Sequence, residues 1–199
     1  MIRALIATLV LAFTISTSGA VSAAASVGQP APAFTAVDSN GKPVMLSKLR
    51  GKFVVLEWFN PGCPFTQKHY NSNNMQSLQK NYGAKGVTWL SVNTTSGPAD
   101  AKAINAWEKK MKATPKAVLL DSDTSLARLY GAKTTPHLFV INPQGTVIYA
   151  GAIDDIRSAD VEDIKGAKNY VSTALNEALA GKAVTTASTQ PYGCSVKYN

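Results

Sequence analysis

An α/β fold built on a mixed central sheet is predicted from three features of this 199-residue chain. Strand-like and helix-like segments alternate from about residue 33 to residue 130, which implies right-handed parallel crossovers. The run Phe53-Val54-Val55-Leu56-Glu57-Trp58-Phe59 is nearly all apolar and rich in β-formers, so it reads as a strand covered on both faces. Late in the chain, two apolar runs flank Asn142-Pro143-Gln144-Gly145, a turn that makes them an antiparallel hairpin.

Taken in order, Ala33 to Val37 suits a short strand before the Asp38-Ser39-Asn40-Gly41 turn, and Val44 to Leu46 leads into a second turn at Leu49-Arg50-Gly51-Lys52. After the long run, Pro64 is placed for the first turn of a helix reaching Tyr82, with Gly83 as its stop. Gly86 to Asn93 is the next strand. Ser96 to Asp100 carries capping chemistry for a helix over Ala101 to Met111, which must end before Thr114-Pro115. Ala117 to Leu120 is a strand, Thr124 to Tyr130 a helix closed by Gly131, and His137–Ile141 with Thr146–Ala150 the hairpin. Asp160 to Ala180 has helical spacing and stops at Gly181.

The N-terminus reads as an address. Arg3 is followed by an apolar run too short to span a bilayer and by small residues suiting a cleavage site. Residues 1–24 are therefore expected to be a secretory signal peptide, 27–181 the folded domain, and 182–199 a tail carrying Cys194. Export, most simply to a bacterial periplasm, would allow disulfides to persist. The formal charge of +8 becomes +7 once Arg3 is lost, and the excess lysines are scattered. No basic stripe with interleaved aromatics suggests nucleic-acid binding, and no second stretch is long enough to cross a membrane.

The chain has two cysteines, Cys63 and Cys194. Cys63 stands in Asn60-Pro61-Gly62-Cys63-Pro64-Phe65-Thr66, where a strand gives way to a helix. The helix N-terminus favours a thiolate there, and the thiolate is the nucleophile. Cys194 follows Gln190-Pro191-Tyr192-Gly193, a compact turn. A Cys63–Cys194 disulfide is one arrangement: a resolving pair, or a staple closing roughly 130 residues that is nominally worth about 5 kcal/mol. Pairing between chains through Cys194 is another. Glu57 lies within the apolar strand and must be protonated or partnered if buried.

Element order, Cys63 after the long strand and Thr135-Pro136 before the hairpin together resemble the thioredoxin fold. Pro32-Ala33-Phe34 through Gly41-Lys42-Pro43-Val44 to Gly51-Lys52 is similar to the N-terminal extension of its redoxin branch, the peroxiredoxin and thiol-specific-antioxidant-like proteins. The resemblance covers roughly Val27 to Gly181 and implies a three-layer sandwich with a mixed central sheet. Two departures qualify the activity. The Cys-x-x-Cys motif reads Cys63-Pro64-Phe65-Thr66, keeping the attacking cysteine and losing the resolving one. Leu56 and Asn60 stand where peroxiredoxins have a proline and a hydroxyl residue, and Thr66 where they have the peroxidatic cysteine.

The resemblance implies a thiol-dependent oxidoreductase, working by disulfide exchange or by antioxidant peroxide reduction on thiols, disulfides or peroxides, with an external electron donor and no cofactor. Cys63 would be the nucleophile, Cys194 its resolving partner and Glu57 a general acid/base. Thr66 would donate to the thiolate. Pro136, as a cis-proline, would shape the groove, and His137 would either carry an imidazolium near Cys63 or be an ordinary hairpin residue. The alternatives are a non-catalytic binding module stapled by the Cys63–Cys194 bond and, with less support, a Cu(I) carrier using Cys63 and His137.

Overall fold

The computed structural model describes residues 24–94 and 100–198. The expected signal peptide falls, up to residue 23, outside these residues, as do residues 96–99 of the expected capping segment. Five strands form the central sheet in the order β5-β4-β3-β7-β8. The parallel half is β3 (Val54–Phe59), β4 (Thr88–Asn93) and β5 (Ala117–Leu120). The antiparallel half is the hairpin of β7 (His137–Ile141) and β8 (Val147–Gly151), with β7 lying against β3. A separate ribbon, β1 (Thr35–Val37) with β2 (Pro43–Met45), forms the N-terminal extension.

Every residue of β3 is buried, as its apolar run requires of a strand covered on both faces. Side-chain alternation divides it. Leu56 and Trp58 face a core completed by Leu126, Ala127 and Tyr130 of α4 (Ser125–Tyr130). Val55 faces a second core built on α1 (Pro64–Asn71), α2 (Asn74–Gly83) and α5 (Tyr170–Leu179). Phe59 meets Ile104 of α3 (Ala101–Met111) on that side. Helices thus cover both faces, giving the expected three layers.

Two elements differ from the sequence expectation. The single helix from Pro64 to Tyr82 is broken at Ser72-Asn73, where Asn73 takes a left-handed φ of 60°. Asparagine tolerates that region better than most residues, so the chain turns there without a glycine. The helix expected over Asp160 to Ala180 begins only at Tyr170, capped by Asn169, whose side chain accepts from the Ser172 N–H. Upstream lie a short 3-10 turn (Glu162–Lys165) that buries nothing and then Gly166, so no apolar face rewards helix formation there.

The tail packs against the domain. Ala187 and Thr189 exchange backbone hydrogen bonds with Ala150 at the edge of β8. The Thr189 hydroxyl accepts from the Ala152 N–H at 2.9 Å. Farther on, β9 (Cys194–Ser195) pairs antiparallel with β6 (Thr134–Thr135).

Candidate active site

Cys63 is the N-cap of α1 and Pro64 its first residue, the arrangement that suits a proline with no N–H to offer. The loop before it is wound by Asn60, whose side chain accepts from the Gly62 N–H at 2.8 Å and whose carbonyl accepts from the Cys63 N–H at 3.0 Å. Cys63 is 1% exposed. Its sulfur is bonded to Cys194, with the two Cα atoms 6.0 Å apart. The bond therefore lies within the chain. It also lies 3.0 Å from the Thr135 carbonyl oxygen, an atom the reduced thiol can use as an acceptor.

The Thr135–Pro136 peptide bond is cis, as the resemblance implied. Register places Thr135 opposite Cys194 and Thr134 opposite Ser195, so the backbone before Pro136 is paired with the tail. Thr66 is buried on α1, and its hydroxyl oxygen lies 3.5 Å from the Asn60 N–H. Its visible work is to fix the loop ahead of Cys63.

His137 is a buried residue of the hairpin. Its Nδ1 accepts from the Lys133 N–H at 3.1 Å and its ring packs 4.5 Å from Phe139. Burial, reinforced by Lys133, pushes its pKa down to about 3. Both effects favour the neutral ring over an imidazolium. Alternation along the sheet also sets it on the face opposite Glu57.

Glu57 is fully buried. The Trp89 indole N–H donates to it at 2.7 Å, the Tyr70 hydroxyl at 2.8 Å, Ser91 at 3.1 Å and the Gln79 amide at 3.4 Å. Desolvation outweighs these donors and lifts its pKa to about 7. Burial and the nearby Glu57 charge lift Glu108 to about 8. Glu57 is thus a buried acid that exchanges a proton near neutrality. The Trp89 indole is its closest donor.

A second polar cluster, not foreseen among the candidate site residues, lies beside α1. Lys68 and His69 are buried there, with Asp154 from the loop after β8 and Tyr192 from the tail. The Lys68 ammonium donates to the Ile156 carbonyl at 2.9 Å and lies 3.7 Å from Asp154. Asn74 donates to His69 Nδ1 at 2.9 Å, which leaves Nε2 to carry the proton. That Nε2 lies 3.4 Å from the Tyr192 hydroxyl, which in turn donates to Asp154. Burial and Lys68 push the His69 pKa down to about 3. The Pro191-Tyr192-Gly193 turn was the one hint in the sequence, since a buried tyrosine needs a partner for its hydroxyl.

Known proteins share much of this fold. A hypothetical protein from Sinorhizobium meliloti 1021 superposes with a TM-score of 0.73 at 21% identity, over 89% of this chain and 97% of that one, a likeness of fold. A protein from Chlorobium tepidum assigned as the thiol:disulfide interchange protein DsbE gives 0.58 at 27% identity, over 78% and 99%. The thiol-disulfide oxidoreductase ResA of Bacillus subtilis (strain 168) is 32% identical over 123 residues. That stretch is 62% of this chain and 65% of ResA, so the match spans less than two thirds of the relative's length. Residues 27–150 match the AhpC/TSA family, a span that holds Glu57, Cys63, Thr66, Pro136 and His137 but neither Asp154, Tyr192 nor Cys194. Matched over more than half its length, with the redoxin fold complete, the chain belongs to the AhpC/TSA family.

Proposed function

We propose that this protein is a thiol-disulfide oxidoreductase in which Cys63 is the nucleophile and Cys194 the resolving cysteine. One observation carries the reading: the disulfide joins the N-cap of a helix to a strand laid on the cis-proline loop. In the reduced protein the helix N-terminus favours the thiolate, while the Thr135 carbonyl holds the proton of a thiol. S–H is a weak donor, so the dipole prevails. The thiolate attacks a substrate disulfide, forms a mixed disulfide and releases one substrate thiolate. Cys194 then attacks the Cys63 sulfur, closes the internal bond and releases the second. The substrate gains two electrons, and an external dithiol restores the protein.

The similarity to ResA and to the DsbE-type protein supports disulfides as the substrate class. Pro136 shapes the loop that faces the cysteine, Thr66 holds the approach to α1, and neutral His137 fixes the Lys133 backbone. Glu57 is the buried acid whose proton follows thiolate formation. It acts through the electrostatics of the strand rather than by contact. The first 24 residues are a signal peptide, and the domain with its tail works in the periplasm. No helix among the described residues is long and apolar enough to cross a membrane.

Cys63→Ser should abolish disulfide reduction in a coupled assay, and unchanged turnover would remove the reading. Cys194→Ser should accumulate mixed disulfides on Cys63, detectable by intact mass. Hydrogen peroxide run in parallel tests the narrower peroxidase activity, with a sulfenic acid on Cys63 in place of the mixed disulfide. The near-complete burial of Cys63 favours a second reading, a stapled binding module. A reduction potential below about −300 mV would select it.

A further inference from the structure

The last residues are held as a docked peptide is held. Cys194 and Ser195 extend the two-residue edge of β6, and the Val196 N–H donates to the Lys133 carbonyl at 3.0 Å. Adding a strand to an exposed edge is a general way to bind an extended chain, with backbone bonds giving affinity and pockets giving selectivity.

Three consecutive positions each meet a separate requirement. Tyr192 enters a pocket where its ring lies edge-on to Phe65, 5.8 Å between centroids, and 5.7 Å from the Lys68 ammonium. Its hydroxyl bonds Asp154 and neighbours His69. Gly193 takes a φ of 135°, and a Cβ there would fall 2.1 Å from the Thr135 carbonyl oxygen, so the backbone has room for glycine alone. Cys194 presents its sulfur to Cys63.

The walls of this pocket are fixed by bonds that do not involve the tail. Lys68 is tied to the Ile156 carbonyl, His69 to Asn74, and Asp154 accepts from the Ile156 N–H at 3.1 Å. Withdrawing Tyr192 leaves a preset acceptor on Asp154 and a preset N–H on His69, both aimed at the place of a phenol oxygen. A site whose groups hold position without their occupant suits an exchangeable occupant.

We infer that the groove formed by α1, the loop after β8 and β6 is a polypeptide-binding site selective for a tyrosine-glycine-cysteine segment, with the C-terminal strand as its tethered occupant. This rests on the reactivity proposed for Cys63 and names its substrate class: protein disulfides whose cysteine follows glycine and, one position earlier, a tyrosine. Within the reduced protein such a segment competes with the tail, which the tether keeps at high local concentration.

The test uses the full chain as Tyr192→Ala/Cys194→Ser and as Gly193→Ala/Cys194→Ser. The first empties the pocket. The second expels the strand by a clash and leaves the core untouched, which guards against a variant that fails to fold. Both leave Cys63 as the sole thiol. Each is mixed with a peptide copying residues 190–196, its cysteine joined to 2-thiopyridine. Attack by Cys63 forms the protein–peptide disulfide and releases thiopyridone, whose absorbance gives the rate. Further peptides carry phenylalanine or alanine for the tyrosine, or alanine for the glycine.

The parent peptide should react about tenfold faster than the two alanine peptides, with the phenylalanine peptide between them. Rates within about twofold across all four, with a small pyridyl disulfide reacting normally, would overturn the groove and leave the thiol chemistry intact. A Cys63 inert even to the small disulfide in both variants would overturn the reactivity beneath it.

Discussion

Two buried carboxylates flank the helix that begins at Cys63, and burial treats them differently. Glu57 is surrounded by neutral donors, Tyr70, Trp89, Ser91 and Gln79, and keeps its proton up to about pH 7. Asp154 faces the Lys68 ammonium at 3.7 Å and the Tyr192 hydroxyl. Burial pushes its pKa up as well, but Tyr192 and Lys68 oppose that push and favour the charge. The partners of Glu57 all come from the domain core. Asp154 gathers α1, the loop after β8 and the tail. One acid serves the fold, and the other serves the attachment of the segment that closes the site.

That contrast breaks most severely with Asp154→Ala. The change strands a buried ammonium and an unbonded phenol together, and the expected cost is about 3 to 5 kcal/mol in denaturant unfolding. After reduction, Cys194 should also alkylate faster than in the parent. If stability falls but Cys194 stays equally protected, Asp154 belongs to the core like Glu57.

The pH dependence of stability gives the next largest effect. Between pH 4.5 and about 7 the folded protein holds a Glu57 proton that the unfolded chain has released, so stability declines as pH rises through that window. Glu108 extends the decline to about 8. The histidines act oppositely. His69 and His137 resist protonation down to about 3, so stability is lost as pH falls from 6.5. These four groups predict a plateau between about pH 4.5 and 6.5, with a loss on the order of 2 kcal/mol on its alkaline side. Glu108→Gln should remove most of that alkaline limb in thermal melts, because Glu57 has finished titrating near 7, and an unchanged limb would assign it elsewhere.

Tyr192→Phe sharpens the comparison at the smallest scale. It keeps the ring against Phe65 and removes one hydrogen bond to a charged acceptor, at an expected cost of about 1 to 2 kcal/mol. Amide exchange should quicken at Cys194 and Val196 and leave Trp89 and Ser91 unmoved. Uniform quickening would mean that the tail and the core open as one unit.

The sequence made the domain legible where apolar pattern and punctuation agree. The β3 run, Pro64 at the start of α1 and the turn at Asn142–Gly145 all stand as read. Cys63 was legible from its place at a strand-to-helix junction, and Glu57 from its isolation in an apolar run. Asp154 was not, because its partners lie 86 residues before it, at Lys68, and 38 after it, at Tyr192. No local period encodes such a meeting. β9 escaped for another reason: two residues cannot show alternation, and its pairing depends on a glycine conformation and a distant edge.

The attachment of Thr189 changes what opening the disulfide means. Counted along the chain the bond spans 131 residues, yet Thr189 is bound to Ala150 and Ala152 of the domain. Only four residues, 190–193, lie between that anchor and Cys194, a leash of at most about 18 Å when fully extended. Broken bond or not, the cysteine stays within a short swing of its partner. On the proposed mechanism, ring closure from a mixed disulfide is then a local search over a few dihedral angles rather than a long-range encounter. The tail works like the return spring of a latch, and its stiffness is set at Thr189 rather than at the sulfur.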